Sequence, residues 1–497
     1  MPDIYENYII TNIKESYSSY SSKILKYTYT AIPIPISASK ENNQKAIRFS
    51  SNAKLDLYAK IKQKEIIEQQ DSQILSDENI IKGSREEYEK YIQKFITPLS
   101  NIINNIKCEE IKIVNEEVSK PICNMFRDLK EVALIIIKNI ITGAPIVVRF
   151  HNDADGSSGA LALYKAVDEI LKKNFINLDN DSSSIIWRLN KSIKYGAEEF
   201  YEDSILFERY TSAEKPLILV IDFGTTEESS NAITLASNYN LIFIDHHPVY
   251  EGFPRSKLLK YINPWDYKGD SNHTAGFVTG VLAQIITGKD NDTDIINSLM
   301  EASLIGDHSI YADMSNKEAE KISVFLDYTT GKNKVFSINE TINIIEDKSK
   351  LDEKFKHSTR IFEEALNSSI KYIHRYKGGS GINIFVLDFN DVERIEEDFP
   401  LPGRFSTKLH DNLEAINGPN ITMVHYGNYI SLRISDSISE SINIIDIFEK
   451  LKSKNKHVYS FGGHKAAASI KINKNYIKNV LKDLLMLLGV QTIKNGL

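Results

Sequence analysis

Ile146-Val-Val-Arg-Phe150 runs straight into His151-Asn-Asp153-Ala-Asp155-Gly156-Ser-Ser-Gly159, and this junction decides the fold. A short β-branched run followed by a glycine-containing turn and a helical spacing from Ser157 to Lys172 reads as strand, tight turn, helix. The same grammar recurs twice. Leu217-Ile-Leu-Val-Ile221 leads into Asp222 and a helix over Glu227–Ser237, and Leu241-Ile-Phe-Ile244 leads into Asp245-His246-His247. Asp307 follows Gly306 at the end of a further apolar segment. The βαβ rhythm predicts an α/β fold with a doubly wound parallel sheet. In such a sheet the strand ends converge on one crevice, where ligands bind. Carboxylates and imidazoles gathered there can hold two hard divalent cations, and two cations can drive the attack of water on a phosphoester.

The rest of the chain sets bounds on this reading. Its 497 residues are 42% hydrophobic and 26% charged, which suits a soluble globular protein of several domains. Cys108 and Cys123 form no C-x-x-C pair, which excludes a cysteine-rich zinc module and predicts two small buried thiols in a reducing, cytoplasmic setting. Residues 1–20 carry no leader-like apolar run, and the most apolar stretch, Val132–Ile141, includes Lys138 and is too short to span a bilayer, so no membrane association is expected. A net charge of −7 argues against a uniformly basic nucleic-acid binder. Phe448–Leu497, however, holds ten lysines against only Glu449 and Asp483, a local excess able to meet phosphates.

Four regions follow from the patterning. Residues 1–120 read as an N-terminal extension, mostly helical. Within it, Tyr27-Thr-Tyr-Thr-Ala-Ile-Pro-Ile-Pro-Ile36 suggests short strands, and 54–107 has helical spacing broken near Gly83 and Pro98. Residues 121–330 form the chemistry-bearing domain, introduced by a helix face at Ile122, Phe126, Leu129, Ala133, Ile136 and Ile140. Residues 331–380 read as a charged helical connector. Residues 381–497, opening on the strand Ile382–Leu387, form a second, smaller α/β domain.

Each motif alone is ordinary. An Asp-x-Asp-Gly loop is usually a turn, and an Asp after a strand, such as Asp222, is usually a helix cap. In combination, Asp153 and Asp155 can reach different metals and Asp222 becomes a bridging carboxylate. Of the adjacent histidines, one can ligate while the other faces substrate, with Asp245 orienting an imidazole.

The order of these four segments resembles the DHH phosphoesterase superfamily, whose signature is Asp245-His246-His247. A fifth motif, Phe461-Gly462-Gly463-His464-Lys-Ala-Ala-Ala468, is similar to the Gly-Gly-His loop of the DHH-associated domain in RecJ-like nucleases. Arg433, in Ile430-Ser-Leu-Arg433-Ile-Ser435, matches that domain's phosphate-contacting arginine. Ile262-Asn-Pro264 and Gly269-Asp-Ser-Asn272-His-Thr274-Ala-Gly276 resemble the archaeal RecJ-like group, one branch of which degrades 3′→5′ beside a repair helicase. Unlike in some relatives, no cysteine-rich zinc module is expected here, and unlike in bacterial RecJ, no OB-like domain is expected after the Gly-Gly-His domain.

What the resemblance implies is a two-manganese site, with Mg²⁺ as an alternative. Asp153, with His151, would bind one ion. Asp155, His246 and Asp307 would bind the other, and Asp222 would bridge. His247 and Asp245 would be catalytic, and Arg433, Gly462, Gly463 and His464 would grip the substrate. Three functions compete: an exonuclease on single-stranded DNA or RNA in repair or replication, 3′→5′ slightly favoured; a phosphodiesterase for short oligonucleotides or cyclic dinucleotides; and an inactive scaffold of a replication complex. Implied partners are single-stranded nucleic acid and a repair helicase or replication-fork protein, and a homo-oligomer is compatible with everything above.

Overall fold

A computed structural model of the chain describes residues 7–17, 24–34, 45–51, 55–62, 82–111, 116–177, 184–250, 252–288, 294–332, 336–396, 399–463 and 465–491. They form two compact units, 1–326 with 335–348, and 327–334 with 349–497.

The first unit opens with strands β1 (Asn7–Tyr17), β2 (Ile24–Pro33), β3 (Ala46–Ser51) and β4 (Lys60–Lys62), then helices α1 (Arg85–Asn105) and α2 (Glu116–Thr142). Next come β5 (Ile146–His151), α3 (Ala154–Asn174), β6 (Phe175–Asn177), β7 (Ile185–Asn190), α4 (Ala197–Phe207), β8 (Tyr210–Ser212) and β9 (Leu217–Ile221). After α5 (Ser230–Leu235), β10 (Asn240–Ile244), β11 (Lys260–Ile262), α6 (Ala275–Thr287) and α7 (Asp294–Gly306), helix α8 (Lys317–Lys332) leads out of the unit and α9 (Ile338–Glu346) returns to it.

The central sheet has the order β11-β10-β9-β5-β7, every pairing parallel. All five residues of β9 are buried, as a parallel strand covered on both faces requires. Each of those side chains contributes about 1.5–3 kcal/mol of apolar burial. One face is covered by Tyr195, Phe200, Phe207, Ala232 and Ile233 from the α4 and α5 region. Helices α3, α6 and α7 pack together, and every residue of α6 is buried. From β5 the sheet grows one way to β7 and the other way to β9, β10 and β11. The β5/β9 boundary is therefore the topological switch point, and the loops after these two strands form the crevice. Arg149, inside apolar β5, is buried and donates to Asp203, Glu202 and the Glu199 carbonyl, which ties α4 beneath the strand.

Two expectations are corrected here. Among its described residues the N-terminal extension is strand as much as helix, not mostly helix. β1–β4 make a sheet in the order β4-β1-β2-β3-β6, with β8 pairing β1, so the extension builds its sheet together with segments of the chemistry-bearing region. Alternating Tyr8, Ile10, Tyr29, Ala31, Ile47 and Phe49 form its core, a period of two that outweighs the mixed-charge composition. Among the described residues of 54–107 the α-helix is α1, capped by Ser84 in a reciprocal box with Glu87. Gly83 precedes the helix as a boundary, whereas Pro98 lies inside it, and residues 63–81 lie outside the described residues. Nor are the two cysteines separate thiols: Cys108 and Cys123 are joined in a disulfide, Cα–Cα 5.5 Å. Sequence spacing carried no sign of this, because the chain reverses between α1 and α2 to bring them together.

The second unit holds α10 (Lys348–Ser369), β12 (His374–Lys377), β13 (Asn383–Asp388), α11 (Pro402–Asn417), β14 (Asn420–Tyr426), β15 (Tyr429–Ile434), α12 (Asp436–Ser439), α13 (Ile444–Lys454), β16 (Val458–Gly463), β17 (Ala467–Ile472) and α14 (Ile477–Leu487). Its six strands run β12-β13-β14-β15-β17-β16, with β13 and β14 parallel and the other pairs antiparallel. One core joins Phe385, Leu387 and Val424 to Phe405, Leu409 and Leu413 of α11. The other joins Ile384, Met423 and Ile470 to Phe448 and Leu451 of α13 and to Leu481 and Leu484 of α14. Among the described residues, no helix is long and apolar enough to cross a membrane.

Candidate metal centre

The switch-point loops bring His151, Asp153, Asp155, Asp222, Asp245, His246, His247 and Asp307 together. His151 Nδ1 is 2.5 Å from Asp153 Oδ2 and 3.5 Å from Asp222 Oδ2. On the other side of Asp222, His246 Nε2 lies 3.3 Å from Asp222 Oδ1, 3.2 Å from Asp307 Oδ2 and 3.7 Å from Asp155 Oδ2. Three groups thus have ligand atoms close enough to share a cation, His151/Asp153/Asp222, Asp155/His246/Asp307 and Asp222/Asp245/His246/His247.

Local backbone explains how each side chain is aimed. Asp222 takes φ +68°, a left-handed conformation that costs a non-glycine residue about 1–3 kcal/mol, and its amide is held by the Ile244 carbonyl at 2.9 Å. It does not cap a helix: both its carboxylate oxygens are buried without a hydrogen-bond partner, as is His246 Nε2. Asp155 lies within the first turn of α3 and accepts from the Ala275 and Gly276 amides at 3.0 and 2.7 Å and from the Ser303 hydroxyl. The N-terminal end of α6 favours that negative charge. A Cβ on Gly276 would come within 2.4 Å of the Asp155 carbonyl oxygen, so only glycine permits this approach. Asp153 Oδ1 accepts from the Gly156 amide at 3.0 Å.

The histidines are held from behind. His246 donates through Nδ1 to the Ser271 carbonyl at 2.6 Å, which leaves Nε2 facing the carboxylates. Asp245 accepts from both the His246 and His247 amides, from His247 Nδ1 at 2.8 Å and from the Thr225 hydroxyl at 2.8 Å. Asp245 is thus an internal clamp, and His247 is half exposed, with Nε2 free of that clamp.

Electrostatics matches the crowding. Burial, with Asp155 and Asp153 nearby, pushes Asp222 up to about 8. Burial and the same two carboxylates raise Asp307 to about 7 against the pull of His246. Burial would also raise Asp245, but the two imidazoles and Thr225 hold it at about 2. His151 and His246 stay well above the ordinary histidine range, because neighbouring carboxylates outweigh the burial that would lower them. A site whose buried acceptors lack donors and whose carboxylates are pushed toward protonation is chemically suited to divalent cations.

In the second unit, Arg433 sits on β15 and donates to Thr407 Oγ1 at 3.0 Å and Ser431 Oγ at 2.9 Å. Burial draws it below the ordinary arginine range. Gly462 and Gly463 end β16, and a Cβ at Gly462 would meet only open space. His464 lies outside the described residues. The sequence reading missed the supporting set, Thr225, Asn263, Trp265, Ser271 and Ser303. Asn263, Ser271 and neighbouring Thr274 lay within quoted motifs, but short polar residues become legible as supports only once the fold shows what they touch.

Residues 145–307 match the DHH family, N-terminal domain. An uncharacterized protein of Methanocaldococcus jannaschii is 26% identical over 464 residues, covering 83% of this chain and 58% of that protein. The chain therefore spans a little over half the length of this curated relative. Among solved structures, the DHH domain of a member of the s1p family of ribosomal proteins superposes with a TM-score of 0.67 at 20% identity, covering 82% of this chain and 99% of that one, and this likeness shows the fold. A manganese-bound exonuclease RecJ gives a TM-score of 0.45 at 14% identity, covering 72% and 93%.

Proposed function

We propose that this chain, which carries a DHH-family N-terminal domain over residues 145–307, is a divalent-metal-dependent phosphodiesterase that removes nucleotides from an end of single-stranded nucleic acid. The observation that carries this reading is the buried, partnerless pair of Asp222 oxygens set between His151/Asp153 on one side and His246/Asp155/Asp307 on the other. His151, Asp153 and Asp222 would hold one cation and Asp155, His246, Asp307 and Asp222 the other, with Mn²⁺ favoured over Mg²⁺ by the imidazoles. Bound there, the cations supply the Lewis acidity that stabilises charge building on the phosphoryl oxygens.

The remaining chemistry falls to the chain. Burial alone would lower the His247 pKa, but Asp245 overcomes this and holds it above the ordinary histidine value. With Nδ1 donating to Asp245, a protonated His247 presents Nε2–H outward, suited to giving a proton to the departing oxygen. Asp245 positions that ring and touches no substrate itself. Arg433 and the Gly462-Gly463-His464 loop would recognise a repeating phosphate backbone, which the C-terminal lysine excess also favours. The motifs that resemble the archaeal RecJ-like group favour 3′→5′ travel and a repair or replication setting as part of this proposal.

The test is full-length protein with Mn²⁺, Mg²⁺ or chelator, given single strands of DNA or RNA labelled separately at the 5′ and 3′ ends, beside a dinucleotide. Metal-dependent shortening of long strands from one end supports the reading. Hydrolysis of the dinucleotide alone replaces it with a short-substrate phosphodiesterase, and no hydrolysis with any metal sinks it.

A further inference from the structure

Beside the metal centre the chain exposes an aromatic ring that the chemistry above does not use. Trp265 is 47% exposed, yet it is fastened. Its Nε1–H donates to the carbonyl oxygen of His246 at 3.1 Å and lies 3.2 Å from Ser271 Oγ, while the Ser271 carbonyl receives the Nδ1–H of His246. The turn that bears it, Pro264–Tyr267, is rigid for its own reasons. Asn263 accepts from the Trp265 amide and donates to the His247 carbonyl, and Arg255 clamps both oxygens of Asp266 at 2.8 Å. With its nitrogen edge turned toward the His246 backbone, the accessible part of the indole is the remaining ring surface. Ile310, 73% exposed, follows Asp307 by three residues, and its amide donates to the side chain of Asn272, next to Ser271.

We propose that Trp265 is the stacking platform for the base of the nucleotide whose phosphate occupies the metal centre. This rests on the phosphodiesterase reading and deepens it by naming what recognises the nucleoside. A nucleobase lies one sugar away from its phosphate, and Trp265 is tied to the backbone carbonyl of His246, the neighbour of the His247 ring that would face that phosphate. Stacking accepts any base, because every base has a π face, so the platform suits an enzyme that removes nucleotides irrespective of sequence. Holding the indole in place beforehand spares the ordering cost that a mobile aromatic would incur on binding. Trp265 is thus a specificity-determining residue, selecting nucleotides over other phosphoesters.

Two measurements test it. The first compares wild type, Trp265→Ala and Trp265→Phe on a single strand with an intact terminal base and on the same strand ending in an abasic sugar. Wild type should prefer the intact end, Trp265→Ala should raise KM on it by ~10-fold and lose the preference, and Trp265→Phe should keep it. Equal failure of Trp265→Phe and Trp265→Ala would instead assign the indole to its Nε1 hydrogen bonds and overturn the platform, as would an unchanged preference in Trp265→Ala. The second needs no turnover. In a Trp187→Phe background, the fluorescence of Trp265 should be quenched by a nucleoside monophosphate with Mg²⁺ and not by ribose 5-phosphate. Should wild type hydrolyse nothing, the phosphodiesterase reading falls, and quenching alone then decides the platform: present, it stands; absent, it is overturned.

Discussion

Asp222 Oδ1 lies 3.3 Å from His246 Nε2, and neither atom has a hydrogen-bond partner although both are buried. Buried polar atoms left without a hydrogen bond are costly, and here they are concentrated at the crevice edge of a parallel sheet. A strained φ at Asp222 adds to that cost. Such an arrangement is sustained when a ligand repays it.

Asp222→Asn should therefore weaken the site and steady the metal-free protein at once. With the central negative charge gone, Mn²⁺ binding by titration calorimetry should fall by at least an order of magnitude. Without metal and above about pH 8, where Asp222 is ionised, relief of repulsion from Asp155 and Asp153 should raise the melting temperature by ~2–4 °C. A fall in metal-free stability with unchanged Mn²⁺ affinity would contradict the shared role of this carboxylate.

The pH dependence of metal-free stability follows from the same crowding. Asp222 and Asp307 are raised to about 8 and about 7, so between the unfolded carboxylate range and those values the folded protein holds more protons. Their contribution is complete below about pH 4 and is lost as pH rises through 7 to 8. Asp245, held at about 2, acts oppositely but only at lower pH. Denaturant titrations in chelator should show stability declining from pH 5 to pH 8, and saturating Mn²⁺ should reverse the slope, because the cation displaces those protons. A flat profile in chelator would remove the premise.

Gly276→Ala tests the seat of Asp155. The added Cβ would lie 2.4 Å from the Asp155 carbonyl oxygen and 2.7 Å from Oδ1. Overpacking of this kind costs about 1–3 kcal/mol and should shift Asp155 away from His246. Lower stability by urea unfolding together with weakened Mn²⁺ binding is expected. Full metal affinity in the folded variant would show that Asp155 does not depend on the end of α6.

His247→Gln separates proton transfer from metal binding. This ring is half exposed, and its Nδ1, 3.8 Å from Asp222, is engaged by Asp245 at 2.8 Å. On strands cleaved by the wild type, kcat should drop by ~10²–10⁴ while Mn²⁺ affinity stays within a few-fold. Parallel loss of both would recast His247 as a ligand.

Much of the centre was legible because the chain announces it locally. Val147, Leu219 and Phe243 sit in runs that only a covered parallel strand tolerates, and a parallel sheet necessarily delivers the ends of those runs to one edge. Hence Asp153, Asp222 and His246 could be grouped without coordinates. Partners were not legible. Nothing in the spacing of Thr225, Ser271 or Trp265 marks them as supports of Asp245 and His246, since these contacts join segments that only folding makes neighbours. The N-terminal extension misled for a related reason: its short strands complete their sheet with Phe175–Asn177 and Tyr210–Ser212, far along the chain.

The sequence by itself thus determined which strands end in ligand-type residues, because hydrophobic periodicity and side-chain chemistry are local properties. Only the tertiary structure decided that Asp222 stands between two groups with neither oxygen hydrogen-bonded, that Asp245 clamps rather than reaches outward, and that an indole is fastened to the His246 backbone. Those facts depend on backbone angles and on distances between loops remote in sequence, which residue order does not encode one segment at a time.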